Sequence, residues 1–308
     1  MFERILRGGV IWLAMASLGT AAAVQAAGLQ EAITVTPSIA KIDLTEAPPV
    51  FSLTYKNTTR TPVELQLHAE DFTALEEGWK VKFLDAAQSS SYRYTLSSWI
   101  TFGTTTLALN PGEERAVQVF IDQNRLTPGG HYASILAEIK QEHGAGQVGL
   151  QGVLSSLLFV RAATGHEVEE ASIQSWQRTQ HYWLLPERYT LNFHNSGNVE
   201  LTPYGQVEVR SRAGGLVAKG ILNEESLITL PESIRKYAIP LVATRLFIYP
   251  GFYTATLHLH YGTTERSVDM EQRFFMVGSP IAVSAVAAAL VAFISGGLLL
   301  RQKLRRRG

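Results

Sequence analysis

Few side chains in this sequence could do chemistry, and their spacing rarely suits a reaction. His258 and His260 stand two apart in the alternating segment Thr254 to Tyr261, so on a strand both point to one face. With a third donor such as His194 they could hold a metal ion. A protein metal site takes three or four ligands, and this spacing supplies two. A pair of surface residues beside Thr254 and Thr256 explains them equally well, so no metal ligand and no cofactor is assigned. Acidic pairs occur at Glu76-Glu77, Glu169-Glu170 and Glu224-Glu225. Neighbours on a strand face opposite sides, so none of these pairs sets an acid and a base across a cleft, and all read as solvated loop charges. Ser89-Ser90-Ser91 has no recognisable histidine partner. The chain contains no cysteine, no phosphate-binding glycine loop and no His-Glu-x-x-His run. Gly144-Ala145-Gly146 reads as a hairpin turn. No catalytic residue is assigned, and the chain is expected not to be an enzyme. A metal-dependent hydrolase survives only as an alternative resting on the histidines.

Aromatic side chains offer a different chemistry, that of binding. Trp79, Tyr92, Tyr94 and Trp99 cluster between residues 72 and 100, and Trp176, Tyr182 and Trp183 follow later. Exposed rings commonly bind glycans or protein partners. Trp79, between Glu77 and Lys80, reads as exposed, and Trp79, Tyr92 and Tyr94 form the candidate binding set. Trp99, beside Ile100, reads as core.

The elements that must hold these residues are strands. Val63 to Ala69, Ala116 to Ile121, Ala133 to Ile139, Tyr189 to Phe193, Val207 to Val209 and Thr254 to Tyr261 all alternate apolar and polar residues with period two. Turn residues separate them at Asn110-Pro111-Gly112, Pro128-Gly129-Gly130, Asn195-Ser196-Gly197-Asn198, Ala213-Gly214-Gly215 and Pro250-Gly251. Outside the two ends, no long stretch has a 3.6-residue apolar period. The expected fold class is all-β, two tandem immunoglobulin-like β-sandwiches.

An internal repeat divides the two units. Phe51 to Thr58 with Val63-Glu64-Leu65 matches Tyr189 to Ser196 with Val199-Glu200-Leu201. In both, Asn57 or Asn195 opens a turn in which its side chain can bond local backbone. Leu109 to Glu113 matches Leu230-Pro231-Glu232. Pro128-Gly129-Gly130-His131-Tyr132 matches Pro250-Gly251-Phe252-Tyr253. Tyr132 and Tyr253 are each expected to pack on a core and bond nearby backbone. Asn57, Trp99, Pro111, Gly112, Pro128, Gly129, Tyr132, Asn195, Pro250, Gly251 and Tyr253 are therefore read as scaffold. The first unit carries more chain between landmarks, 111 − 57 = 54 positions against 231 − 195 = 36. The excess includes 72–100, where Glu76 to Trp79 and Gln88 to Tyr92 read as loops. Insertions on a sandwich often carry function.

The ends of the chain point to export and anchoring. Arg4 and Arg7 precede an uncharged stretch from Gly8, and Val24-Gln25-Ala26 offers small residues for cleavage near Ala26. An uncleaved signal anchor is the alternative. Ile281 to Leu300 is 20 residues without a charge, followed by Arg301, Lys303, Arg305, Arg306 and Arg307. About 20 helical residues cross a hydrocarbon core, and basic residues beside a span stay cytoplasmic. The layout expected is a signal peptide at 1–26, sandwiches at 28–163 and 164–277, a transmembrane helix at 280–300 and a basic cytoplasmic tail at 301–308. The protein is thus expected in the plasma membrane as a single-pass chain, with its ectodomain at the cell surface or in the periplasm. Residues 162–166 form the expected hinge. Without cysteine, each domain must rely on a core of its own. The 27 Lys and Arg balance the 27 Asp and Glu, which argues against nucleic acid as a partner.

The order of motifs from Ile33 to Arg161 resembles a known family. Ile33-Thr34-Val35-Thr36-Pro37-Ser38, the Phe51–Asn57 strand, Asp71-Phe72, Tyr94 to Ile100, Leu109 to Glu113 and Pro128 to Tyr132 are similar to the peptidoglycan-binding domain of the WxL-interacting proteins of Gram-positive cell surfaces. Those proteins carry a signal peptide, two immunoglobulin-like domains, a C-terminal span and a basic tail. The resemblance implies a membrane-anchored surface scaffold contacting a cell-wall glycan, peptidoglycan, or another surface protein. The same unit is similar, more distantly, to the N-terminal domain of periplasmic pilus chaperones, with Leu150 to Arg161 in the place of their last, donor-type strand. That similarity implies an alternative, an anchored chaperone or assembly factor working by β-strand addition.

Overall fold

A computed structural model describes residues 33–75, 81–140, 152–162, 165–179, 184–277 and 280–305. The expected signal peptide and Trp79, Tyr182 and Trp183 lie outside the described residues, as does part of the expected hinge. The strands run β1 Ile33–Thr36, β2 Ile39–Asp43, β3 Val50–Asn57, β4 Val63–Ala74, β5 Val81–Phe83, β6 Ile100–Phe102, β7 Thr106–Leu109, β8 Glu114–Ile121, β9 Gly129–Lys140 and β10 Val153–Ala162 in the first half. In the second half they are β11 Ala171–Arg178, β12 Arg188–Asn195, β13 Tyr204–Ser211, β14 Leu216–Leu222, β15 Ile234–Pro240, β16 Val242–Ala243, β17 Gly251–Tyr261 and β18 Arg266–Met276. Helix α1 is Ala86–Ser91 and helix α2 is Pro280–Arg305.

The chain is mostly β, in two sandwiches. In the first, one sheet has the order β1-β3-β8-β6 and faces another ordered β2-β10-β9-β4-β5, with β7 paired to β4. The chain changes sheets between β1 and β2, where the Thr36–Pro37 bond is cis. In the second, β11-β12-β15 faces β16-β14-β13-β17-β18. Alternation explains the cores. Leu53, Leu65, Val119, Ile135, Leu158 and Val160 fill the first, and Leu191, Phe193, Val207, Ala255, Leu257 and Leu259 fill the second. Each buried Leu, Val or Phe contributes about 1.5–3 kcal/mol through removal of apolar surface from water.

The segment expected as a loop at residues 88–92 is mostly helical. Asp85 caps α1, accepting from Gln88 N at 2.8 Å, while the Gln88 side chain accepts from Asp85 N at 3.4 Å. This reciprocal cap needs no apolar periodicity. Helix α2 covers the expected span. Among the described residues no helix is long and apolar enough to cross a membrane, and the side chains described in α2 are those of residues 284–297.

Candidate functional site

Two places on this frame could engage a partner: the junction between the sandwiches and the edge of β10. The alternation of β10 builds both. Leu154, Leu158 and Val160 turn into the first core, which puts Leu157, Phe159 and Arg161 on the outer face. There Phe159 joins Phe72, Tyr94 and Tyr132, and all four pack with Leu230 of the second sandwich. Ring centroids lie 5.5 Å apart for Tyr132 and Phe159 and 5.8 Å apart for Phe72 and Phe159, both edge-on. Such ring pairs contribute about 0.5–1.5 kcal/mol beyond area burial.

Arg161 lies at the polar side of this cluster. Its Nε donates to Glu200 Oε1 at 2.9 Å, Nη1 to Glu169 Oε1 at 3.1 Å and Nη2 to the Glu200 carbonyl at 2.9 Å. The remaining oxygens are also used. Tyr132 donates its hydroxyl to Glu200 Oε2 at 3.2 Å, and Glu169 Oε2 accepts from Thr263 N at 2.7 Å and Thr263 Oγ1 at 3.0 Å. Burial works against the charge on Arg161, but the carboxylates of Glu200 and Glu169 outweigh it and hold its pKa above the usual value. A charge this far from water is tolerated on these terms, with each guanidinium nitrogen and all four carboxylate oxygens hydrogen-bonded. Gly130 N donates to Asn198 O at 2.7 Å. Gly129, with φ of +116°, comes so close that a β-carbon would sit 2.6 Å from that same oxygen. Glycine is required here both for its backbone angle and for the close approach.

The expected site residues are placed as follows. Tyr94 is 2% exposed and donates to Glu232 Oε1 at 2.8 Å, so it is not an exposed binding residue. Tyr92 is half-buried with its ring 5.5 Å from that of Tyr94. Of the aromatic set read as a binding surface, Tyr92 and Tyr94 are drawn into the junction, because the second sandwich covers that face. Trp99 is half-buried and packs edge-on against His131 at 5.0 Å. Asn57 and Asn195 are fully buried. Asn57 Nδ2 donates to Thr61 O and Leu109 O at 2.9 and 3.1 Å, and Asn195 Nδ2 to Val199 O and Thr229 O at 2.8 and 3.0 Å. Pro111 and Gly112 occupy the centre of a turn closed by Glu113 N to Asn110 O at 3.0 Å, with φ of +77° at Gly112. Pro128 precedes β9, whose first residue is Gly129, and Pro250 precedes β17, whose first residue is Gly251.

Tyr253 donates to Tyr249 O at 2.5 Å, a bond to backbone four residues upstream. Tyr132 does not make the backbone bond expected of it, because its hydroxyl crosses to Glu200. Glu169, expected as a solvated loop charge, is buried in the junction. His258 bonds Asp269 at 2.8 Å and His260 stacks on Tyr204 at 5.4 Å, while His194 lies on β12 in the facing sheet. Among the described residues no group of three or more metal-binding side chains comes together. Sequence reasoning missed Arg161, Glu169, Glu200 and Glu232 as a set. Each was named for a different reason, Glu169 as one of an acidic pair, Arg161 as the end of a strand, Glu200 and Glu232 within the repeat, and no local signal joined them.

The edge of β10 is the second place. β9 pairs with it from Val153 to Ala162, but β2 pairs only from Leu157 to Arg161. Beyond β2, Ser156 is flanked by Pro37, to whose carbonyl its Oγ donates at 2.7 Å, and β1 passes close to β10, so only the backbone of Val153–Ser155 is paired on one side with no strand paired to it on the other among the described residues. Leu157 N donates to Ser38 O at 2.9 Å across that side. Backbone direction alternates along a strand, so Ser155 and Val153 present their N–H groups the same way. Val153 is 58% exposed, and Ile39 at the start of β2 is 49% exposed.

No family model matches this chain, that of the peptidoglycan-binding domain included, and no curated protein matches it. Solved structures similar to it include chaperones, some of them described as chaperones of fimbriae or pili. A structure described as a chaperone–tip adhesin complex of CFA/I fimbriae biogenesis matches with a TM-score of 0.41 and 8% identity, over 80% of this chain and 99% of that one. The E. coli chaperone DraB matches with a TM-score of 0.39 and 12% identity, over 79% and 96%. The CsuC–CsuE chaperone–tip adhesion subunit complex of Acinetobacter baumannii matches with a TM-score of 0.37 and 14% identity, over 68% and 90%. A likeness of this degree assigns no function.

Proposed function

We propose that this chain is a membrane-anchored, non-enzymatic protein that takes up an extended segment of another exported protein as an added strand beside Val153–Ser155 of β10. The open edge of β10 carries this reading. Exposed sheet edges are normally blunted by charge. The edge strand β18 follows that rule with Arg266, Asp269, Glu271 and Arg273, and β15 with Arg235 and Lys236. Val153–Ser155 has no charge and presents the exposed Val153 beside a backbone edge left unpaired among the described residues, which is what strand addition uses. A glycan surface is less well supported, since Tyr94 is buried and Tyr92 half-buried in the junction. The anchor is the uncharged run Ile281 to Leu300 within α2, whose Leu290, Val291, Phe293 and Ile294 are all exposed. In this reading the basic residues that follow stay cytoplasmic and the sandwiches lie on the other side.

The chain has no cysteine, so a single introduced thiol can be labelled cleanly. A photo-crosslinker on Val153→Cys, in the full chain in its own membrane, is expected to trap a discrete protein adduct. The same label on Phe120→Cys, an exposed position of β8, should not. Adding Ser155→Pro removes one edge N–H and should abolish the adduct, whereas Ser155→Ala, which removes only the hydroxyl bonded to buried Ser134 Oγ at 2.7 Å, should keep it. An identical adduct from position 120, or one indifferent to the proline, rules the reading out.

A further inference from the structure

The two ends of the second sandwich are used differently. One end meets the first sandwich through Glu169, Glu200 and Thr263. The opposite end holds the start of β17, the end of β18 and the loop of residues 244–250, with Gly251 paired to Met276 and Phe252 to Phe275. Here large apolar side chains face outward: Tyr249 is 69% exposed and Phe252 65%, with Phe247 and Phe275 also exposed. Phe252 and Phe275 form an edge-on pair at 5.3 Å. Arg188, Arg212, Arg245 and Arg273 are exposed around the same end, with Glu187 among them. A soluble surface seldom groups aromatic side chains this way without a purpose.

The first helical residue of α2, Pro280, follows Met276 by 280 − 276 = 4 positions. Four extended residues reach at most about 14 Å. The polar zone on each side of a bilayer core is roughly 5–8 Å deep. Whatever α2 enters, this end of the sandwich is held against it. We infer that the aromatic and basic end of the second sandwich, Phe247, Tyr249, Phe252 and Phe275 with Arg212 and Arg245, seats on the headgroup layer of a bilayer containing anionic lipid. Aromatic rings favour that layer, and each nearby cation gains about 1 kcal/mol from anionic headgroups. The seat fixes how the sandwiches stand on the membrane instead of leaving them on a free tether. This inference rests on the anchoring part of the proposed function and adds to it the surface the ectodomain rests on.

The test uses the full chain in nanodiscs of phosphatidylcholine and phosphatidylglycerol containing headgroup-proximal spin-labelled lipid. Single-cysteine variants Phe247→Cys, Phe252→Cys and Phe293→Cys carry a fluorophore, with Ile39→Cys as the remote reference. Positions 247 and 252 are expected to lose most of their fluorescence, and position 39 none. Arg212→Glu with Arg245→Glu should restore much of the signal at 247 and 252 and leave 293 quenched. Quenching at 293 without quenching at 247 and 252 overturns the seat and spares the anchor. No quenching at 293 overturns both. Equal quenching in phosphatidylcholine alone overturns the anionic preference.

Discussion

The two sandwiches repeat the same turns, yet one copy looks inward and the other reaches across. Asn57 and Asn195 make the same set of bonds: each amide nitrogen donates to two carbonyls, and each amide oxygen accepts from the backbone two residues on, Thr59 N at 2.9 Å and Gly197 N at 3.0 Å. Asn57 N donates to Glu113 O as Asn195 N does to Ser233 O. The copies part at two positions. Tyr253 closes on its own domain through Tyr249 O, whereas Tyr132 bonds Glu200 of the other domain. Gly112 takes a left-handed backbone angle cheaply, whereas its counterpart Glu232 takes one, φ +55°, with a side chain that receives the Tyr94 hydroxyl. A duplicated scaffold thus keeps the bonds that fold each unit and redirects those that can join the units. Tyr94, read from sequence as a binding residue, is taken up by this joining.

Breaking the joint should cost most. Arg161→Ala leaves Glu169 and Glu200 buried without their cation, at a cost of about 3–5 kcal/mol. Denaturant unfolding of the full chain in detergent should show one shared transition resolve into two. A single unchanged transition would mean that the aromatic cluster alone couples the domains. The equivalence of the asparagines comes next. Asn57→Ala and Asn195→Ala each strand buried carbonyls and should each cost about 2–3 kcal/mol. Each should lower the stability of its own sandwich only, which hydrogen exchange resolves by domain. A large difference between the two would break the comparison.

The turn pair sharpens it further. Glu232→Ala loses the bond from Tyr94 and keeps the strained angle, while Glu232→Gly loses the bond and relieves the strain. The left-handed angle costs a side-chain-bearing residue about 1–2 kcal/mol. The glycine variant should therefore be the more stable of the two by roughly 1 kcal/mol. Equal stabilities would show that the angle carries no cost here.

The legible part of this molecule was the part that repeats locally. Period-two alternation marks β4, β8, β9, β12, β13 and β17, and the paired Asn and Pro turns mark two units, because both signals lie within a few residues of chain. Helix α1 was missed because its evidence is a cap, Asp85 and Gln88, and not a periodic face. The junction was illegible for a different reason. Whether Tyr94 is exposed depends on what covers the outer face of β4, β9 and β10, and that cover comes from Leu230 and Glu232, more than a hundred residues away. The same holds for Glu169, an unremarkable loop acid until Arg161 and Thr263 meet it. The open edge of β10 also depends on where a remote strand, β2, stops.

The smallest expected effect separates the two tyrosines by their surroundings alone. Burial raises the pKa of both, and the charge of Glu200 beside Tyr132 raises that hydroxyl further, whereas Tyr253 has burial only. A raised phenol lends stability that is fully present below its unfolded value near 10 and lost as pH climbs through the folded value. Tyr253 should therefore begin to ionise within the folded protein, and Tyr132 only as the junction opens. Absorbance titration of the full chain should lose one phenol that ionises before unfolding in Tyr253→Phe and none in Tyr132→Phe. Tyr132→Phe should instead weaken the junction at neutral pH, because it removes the donor to Glu200 Oε2 and leaves that oxygen buried, and should flatten its loss at high pH, because the ionising group is gone. Early ionisation of Tyr132 would place its hydroxyl in water and remove it from the joint, and the distinction between an inward and a crossing copy would then rest on Tyr94 and Glu232 alone.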